Sequence, residues 1–264
     1  MTESARNSPG AVLRRKSLPL LGAIGFVLIW ELFCRIGHVR PVLLPPPSLV
    51  FDELAQSPLW FAEQTAYTLG ITLAGFAVAA VLGVAFAIVI TEWKWLHRLL
   101  FPLFVALNSV PKVAIAPLCI IWFGTGAEPK IAIAFLIAVF AVVIDTILGL
   151  RSVPSDILDL ARTLRGSRWK VLIRIKLFCA LPHLFAGLKV AMSLALVGAI
   201  VGEFVSSQRG LGFVILSAQG MFDTPRVFAA ITILAVLGVV LIELVSLLEQ
   251  LALPWHHSAA RASH

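Results

Sequence analysis

The chain has 264 residues, of which 59% are hydrophobic and 13% charged. Soluble domains carry about 25% charged residues, so there is too little polar surface here to face water all round, and the mean hydropathy of +0.97 points to a bilayer as the solvent. The net charge of +7 is read as Lys and Arg kept on the cytoplasmic side, not as a nucleic-acid site, because the basic cluster has only Trp169 to interleave with it.

The first 17 residues are polar, end in Arg14, Arg15 and Lys16, and read as a cytoplasmic tail. The apolar run 18–36 could begin a signal peptide, but it passes Trp30 and reaches Phe33 without a small-residue cleavage site. It is read as an uncleaved first span. Stretches 68–90, 99–123, 131–150, 184–206 and 227–248 are also close to the roughly 20 apolar residues that a crossing needs. Backbone amides in lipid must be bonded within their own segment, and no short alternating strands appear. The expected fold class is therefore all-α, a polytopic membrane protein with six transmembrane helices. Pro102, Pro111 and Pro117 interrupt the third stretch. Each removes a helix hydrogen bond. Either the helix breaks where protein or a water-filled cavity covers it, or it kinks against its neighbours.

With the N-terminus inside, the cytoplasmic pieces hold fourteen Lys and Arg and the outer pieces five. That asymmetry puts both termini in the cytoplasm. The core is expected over residues 60–250, followed by a cytoplasmic tail, 251–264.

Residues 151–182 form the longest inner loop. Pro154-Ser155 marks a helix start with Ser155 as N-cap, and Asp156 and Asp159 suit the positive end of the helix dipole. Ile157, Leu160, Ala161 and Leu164 recur at helical spacing as one apolar stripe, with Arg162 and Thr163 off it. After Gly166-Ser167, a second amphipathic piece sets Trp169, Leu172, Ile173 and Leu177 against Arg168, Lys170, Arg174 and Lys176. Pro182 is expected to close the loop before the fifth span. Two such helices could lie on anionic lipid headgroups or offer the stripe to a groove on a partner protein. The pattern alone leaves both uses open.

The stretch 159–182, DLARTLRGSRWKVLIRIKLFCALP, resembles the EAA loop of binding-protein-dependent ABC importer permeases. Ala161 stands at the third position of that motif, Asp159 where Glu is usual and Leu160 where Ala is usual. The family's glycine position holds Arg165, with Gly166 one residue later, and Leu181-Pro182 matches the end. PKVAIAPLCIIWFGTG (111–126) and GEFVSSQRGLGFVILSAQGMFDTPRVFAAI (202–231) are similar to the nitrate/sulfonate/taurine branch of these permeases, and the resemblance covers 45–248. It implies a type I ABC importer permease fold in the cell inner membrane. It also implies a homodimer, ABC ATPase subunits on the inner side, and a periplasmic or lipid-anchored solute-binding protein outside. On that resemblance Asp159, Leu160, Ala161, Arg162, Leu164, Gly166, Leu181 and Pro182 couple the ATPase to the path. ATP and Mg belong to the partner ATPase, and no cofactor is expected on this chain.

Charges within spans are costly and mark paths by default. Pro111, Lys112, Asp145, Glu203, Ser206 and Ser207 are the candidate translocation path or gate. Structural roles compete: Asp145 could serve nearby basic residues and Glu203 could pair with Arg209. Gly198 and Gly202 allow close helix approach, either at a dimer seam or within the chain. The run 211–216, between Gly210-Leu211-Gly212 and Gly220, reads as a re-entrant piece. In related permeases this region helps close the outer gate. The three cysteines are far apart and read as apolar fillers. No phosphate loop, catalytic grouping or metal spacing is visible, so ATP hydrolysis is assigned to another chain. The expected function is import of a small anionic or heterocyclic solute such as a sulfonate, taurine or nitrate. The competing class is an ATP-independent secondary transporter or channel, disfavoured because internal repeats and a proton-relay set are missing.

Overall fold

The computed structural model describes residues 9–163 and 167–254, with side chains from residue 21 onward except those of 94, 162 and 168. Every regular element among the described residues is helical. In chain order they are α1 (Pro9–Ile36), α2 (Pro47–Gln56), α3 (Pro58–Glu92), α4 (Lys94–Asn108) and, after a 3-10 turn at Lys112–Ile115, α5 (Ala116–Phe123). Next come α6 (Glu128–Arg151), α7 (Ser155–Thr163), α8 (Arg168–Val171), a π turn at Leu172–Lys176, α9 (Leu177–Ser206), α10 (Leu211–Gly220) and α11 (Thr224–Ala252).

Among the described residues, four helical runs are long and apolar enough to cross a bilayer: α3, α6, Trp169–Ser206 and α11. The third expected stretch is a broken span, α4 and the 3-10/α5 piece meeting at 87°. It is the break, not the kink, that the structure adopts, and Pro111 sits at it. Pro102 is carried inside α4, and Pro117 lies in the first turn of α5, where its missing N–H is no loss. The first expected span, 18–36, lies within α1.

Pro182 does not close the inner loop. It lies inside α9, and the second amphipathic piece runs through the π turn directly into the fifth span. Proline is tolerated within membrane helices because neighbours and local 3-10 or π adjustments re-satisfy the backbone. Here a π turn immediately precedes the helix that carries it.

The chain divides into two compact units. The first comprises residues 1–61 and 214–232. Its polar hub is Glu31 of α1, whose carboxylate accepts from Ser48 N at 3.0 Å, Ser48 Oγ at 2.9 Å and Arg35 Nε at 2.5 Å. An anion is thereby placed on the first turn of α2, where orphan amides need acceptors. Arg226 donates to Glu53 at 2.7 Å, and Thr224 Oγ1 to the Val42 carbonyl at 2.7 Å, which ties the start of α11 to α2 and the loop before it.

The second unit comprises residues 62–213 and 233–264. Lipid tails are as apolar as leucine, so helices in a membrane associate through close van der Waals packing rather than water exclusion. The α6–α9 pair obeys that rule. A Cβ on Gly198 would fall 2.6 Å from Ala134 Cα, and one on Gly202 would fall 2.9 Å from Lys130 Cα. These glycines therefore serve packing within the chain. Ala79, Ala87 and Ile90 of α3, Phe104 of α4, Val142 and Val143 of α6, and Ala191 and Ala195 of α9 fill the core. Met192 meets Leu241 and Val245 of α11, and Lys189 pairs with Glu249 at 2.5 Å between the same two helices.

Candidate functional site

Three places in the second unit gather the residues singled out by sequence. The first is α7. Leu158 N donates to the Pro154 carbonyl, so Pro154 holds the cap position. Ser155 is the first helical residue, and its hydroxyl goes to Asp156 Oδ1 at 3.2 Å in place of the expected capping bond. The apolar stripe divides. Ala161 is buried with Val153, whereas Ile157 and Leu160 are 40% and 61% exposed. The helix thus rests on one edge of its stripe and turns the other outward, next to the exposed Asp159. Leu164 and Gly166 lie outside the described residues, as does the side chain of Arg162.

The segment beyond α7 is anchored differently. Leu172 in the π turn packs on Leu150 and Ala180, and Lys176 Nζ meets Glu92 Oε1 at 2.6 Å at the end of α3. Trp169 and Ile173 face outward beside Lys170 and Arg174. Leu181 and Pro182 are half-buried in α9 beyond that turn, so they belong to the fifth span.

The second place is the bend between α4 and α5. Lys112 Nζ donates to Asn108 O at 2.7 Å and Asn108 Oδ1 at 2.6 Å, and lies 4.6 Å from the centre of the Phe140 ring. The cation therefore sits at the negative end of α4 and rests on an aromatic face of α6. Pro111 caps the 3-10 turn beside it, and its carbonyl accepts from Ala114 N at 3.0 Å.

The third place is the start of α10, where Glu203 is found. Its carboxylate is 1% exposed. One oxygen accepts from Thr68 Oγ1 at 2.8 Å, the other from Gly212 N at 2.7 Å. Thr68 Oγ1 in turn accepts from Leu211 N at 2.8 Å, and Gln64 Oε1 accepts from Gly210 N at 2.7 Å. Three consecutive amides opening a ten-residue helix are thus met by side chains from α3 and α9. Gly210 has φ +99°, and a Cβ there would overlap the Glu203 carboxylate, so both backbone and space require glycine. Arg209 is not the partner of Glu203; its backbone N–H and carbonyl engage the Ser207 hydroxyl. Ser206 Oγ is buried without a hydrogen-bond partner among the described residues.

Gln64, Thr68 and Lys130 were not among the expected site residues. Lys130, one of the five Lys and Arg counted above on the outer pieces, is 2% exposed. Its Nζ donates to Gly126 O at 2.8 Å, Tyr67 Oη at 3.3 Å and Thr125 O at 3.4 Å. The available signal was Gln64, Thr68 and Thr72 repeating every fourth residue at one end of an apolar stretch.

Asp145 stands apart. It lies on α6 against Gly187 of α9, whose lack of a side chain leaves room for the carboxylate, with His183 close enough to act on its charge. Gly187 and Glu203 are 16 residues apart on one helix, about 24 Å. Asp145 and Glu203 therefore occupy separate levels of the bundle.

Residues 79–252 match the family described as binding-protein-dependent transport system inner membrane component. The riboflavin transport system permease protein RibX of Chloroflexus aurantiacus is 34% identical over 93% of this chain and 94% of its own length. The formylaminopyrimidine transport permease protein ThiX of Halalkalibacterium halodurans is 33% identical over 90% and 95%. A putative aliphatic sulfonates transport permease protein, SsuC of Bacillus subtilis, is 32% identical over 97% and 94%. Among solved structures, a chain of the MetNI methionine ABC transporter in an inward-facing conformation is similar in fold, with TM-score 0.66 over 74% of this chain and 97% of that one, at 14% identity.

Proposed function

This chain belongs to the family of binding-protein-dependent transport system inner membrane components, and from that premise we propose how it works within its importer. It is a permease subunit of an ABC importer, a multi-pass membrane protein whose ATP is hydrolysed on a separate subunit. In our reading α7 is the lever that the ATPase grips. The observation that carries this is the outward edge of α7: Leu160 and Ile157 exposed beside Asp159, on a short helix that buries Ala161 and comes directly after α6. An apolar edge with an acid beside it suits a groove on a protein partner. The more basic piece after it, with Trp169 and Ile173 outward, suits the headgroup layer. Both termini and α7 lie on the cytoplasmic side, and two copies form the path. Asp159, Leu160 and Ala161 act at the grip, with Arg162, Leu164 and Gly166 completing the turn beyond it.

The solute is small and anionic or heterocyclic, delivered by a solute-binding protein. This is supported by relatives named for riboflavin, formylaminopyrimidine and aliphatic sulfonates. Reconstitution of the chain with its ATPase and binding protein tests the reading. Uptake that requires ATP and both partners is expected; uptake by the chain alone, driven by an ion gradient, would overturn it.

A further inference from the structure

Asp145 lies six residues before Arg151, about 9 Å from the inner end of α6. It meets Gly187 of α9, where a Cβ would fall 2.6 Å from Asp145 Cβ and 2.9 Å from Asp145 Oδ2, so the carboxylate lies against the glycine where the two helices touch. His183, one turn back on α9, is close enough to act on its charge. His183, Ala186 and Val190 recur at i, i+3 and i+7 and form an exposed strip of α9 beside that contact.

The carboxylate differs from the other acids that the second unit withdraws from its surface. Glu203 accepts from Thr68 and Gly212, Glu92 pairs with Lys176, and Glu249 pairs with Lys189. Asp145 is half-buried and has no hydrogen bond or ion pair among the described residues. Lysines of the spans are engaged elsewhere. Lys189, two residues from Gly187, turns to Glu249 of α11, Lys112 is held by Asn108, and Lys130 by Gly126 and Tyr67. An ionisable side chain at membrane depth faces a bundle interior or a water-filled cavity rather than lipid. An acid that no lysine neutralises, set beside an exposed strip, therefore belongs on a water-filled route and gives that route a negative wall.

We propose that Asp145 and His183 form a solute-contacting station on the inner part of the path, one that admits neutral or cationic solutes bearing N–H donors and turns anions away. A carboxylate accepts from the amino group of a nitrogen heterocycle, as it does from a cytosine amino group. The His183 imidazole supplies a ring nitrogen beside it that can donate or accept. An anion would shed water there and meet the Asp145 charge instead of a lysine. The inference rests on the reading of this chain as an importer permease, and within that reading it selects a heterocycle over a sulfonate as the solute.

The test uses the permease assembled with its ATPase in lipid nanodiscs, with its three cysteines replaced by alanine and Ala186→Cys introduced on the exposed strip. The probes are two methanethiosulfonates, one carrying a trimethylammonium group and one a sulfonate, each rate divided by the rate with a free thiol. The cationic reagent is expected to react about tenfold faster on that scale, the effect of one charge felt with opposite signs by the two reagents across a partly water-filled gap. Val197→Cys, 49% exposed and eleven residues further along α9, about 16 Å, should show a smaller preference. Asp145→Asn should remove the preference at Ala186→Cys, and Asp145→Glu should restore it. Equal rates, a preference for the anion, a ratio no greater than at Val197→Cys, or a ratio untouched by Asp145→Asn would overturn the proposal. So would the absence of reaction with either reagent, which would put lipid or a second permease against the strip. None of these rates requires ATP turnover, so uptake found to be independent of the ATPase would overturn the importer reading and leave the labelling result to be judged by itself.

Discussion

The hydroxyl of Thr68 donates to the Glu203 carboxylate at 2.8 Å while accepting from Leu211 N at the same distance. One small side chain on α3 thereby couples an acid on α9 to the first turn of α10. With Gly212 N on the second carboxylate oxygen, the acid works as a cap supplied from another helix.

Removing this cap strands its donors. Glu203→Ala leaves Gly212 N–H and the Thr68 hydroxyl without their acceptor in a buried site, at about 1–3 kcal/mol for each group. Glu203→Gln keeps an acceptor for Gly212 and should lose much less. Thermal unfolding of the purified permease in detergent, monitored by size-exclusion elution, reads the difference.

The α6–α9 contact should tolerate no side chain at Gly198. A Cβ there meets Ala134 Cα at 2.6 Å, and backbone cannot swing aside as a flexible side-chain end would. Gly198→Ala forces the helices apart, for about 1–3 kcal/mol of overpacking. Gly238→Ala, where a Cβ would fall 3.4 Å from Leu196 Cδ2, is the control expected to be near neutral in the same melt.

Lys112 should matter to the bend. Lys112→Met keeps the length and the contact with Phe140 but drops the two donations to Asn108. Hydrogen bonds to charged groups are worth about 1.5–3 kcal/mol, and partial exposure puts this one at the low end. A nitroxide pair placed on α4 and α5 is expected to give a broader distance distribution in the variant.

The ion pair between Lys176 and Glu92 joins the π turn to α3 at 2.6 Å. Glu92→Gln should lower the melting temperature modestly, and Lys176→Gln added to it should cost little more, because the partner is already lost. Full additivity of the two effects in melts of single and double variants would show that the pair does not interact.

Much of the arrangement was legible beforehand because the bilayer imposes it. Long apolar runs must be helices, and Pro111 cannot supply the N–H that a continuous third span would need. Gly198 and Gly202 announced a close contact, and only the fold shows that Ala134 and Lys130 of the same chain receive it. Pro182 misled because proline normally ends a helix in water, whereas here it lies inside α9, as membrane helices packed among neighbours allow. The Glu203 cap was hidden for another reason. Its partner Thr68 is 135 residues away, and local charge pattern suggested Arg209 instead. On α7, helical spacing put Ile157, Leu160 and Ala161 on one stripe, and only the fold shows that Ala161 is buried while the other two face out.

That outward edge carries the central claim, and co-purification of the ATPase with a Leu160→Arg permease tests it most directly. Leu160 is 61% exposed, so the substitution should spare the fold, whereas Ala161→Arg would disturb a buried position as well. The account predicts an unchanged melting temperature, loss of the ATPase from the purified complex, and loss of uptake. Retention of the ATPase at the unsubstituted ratio, with uptake intact, would contradict it.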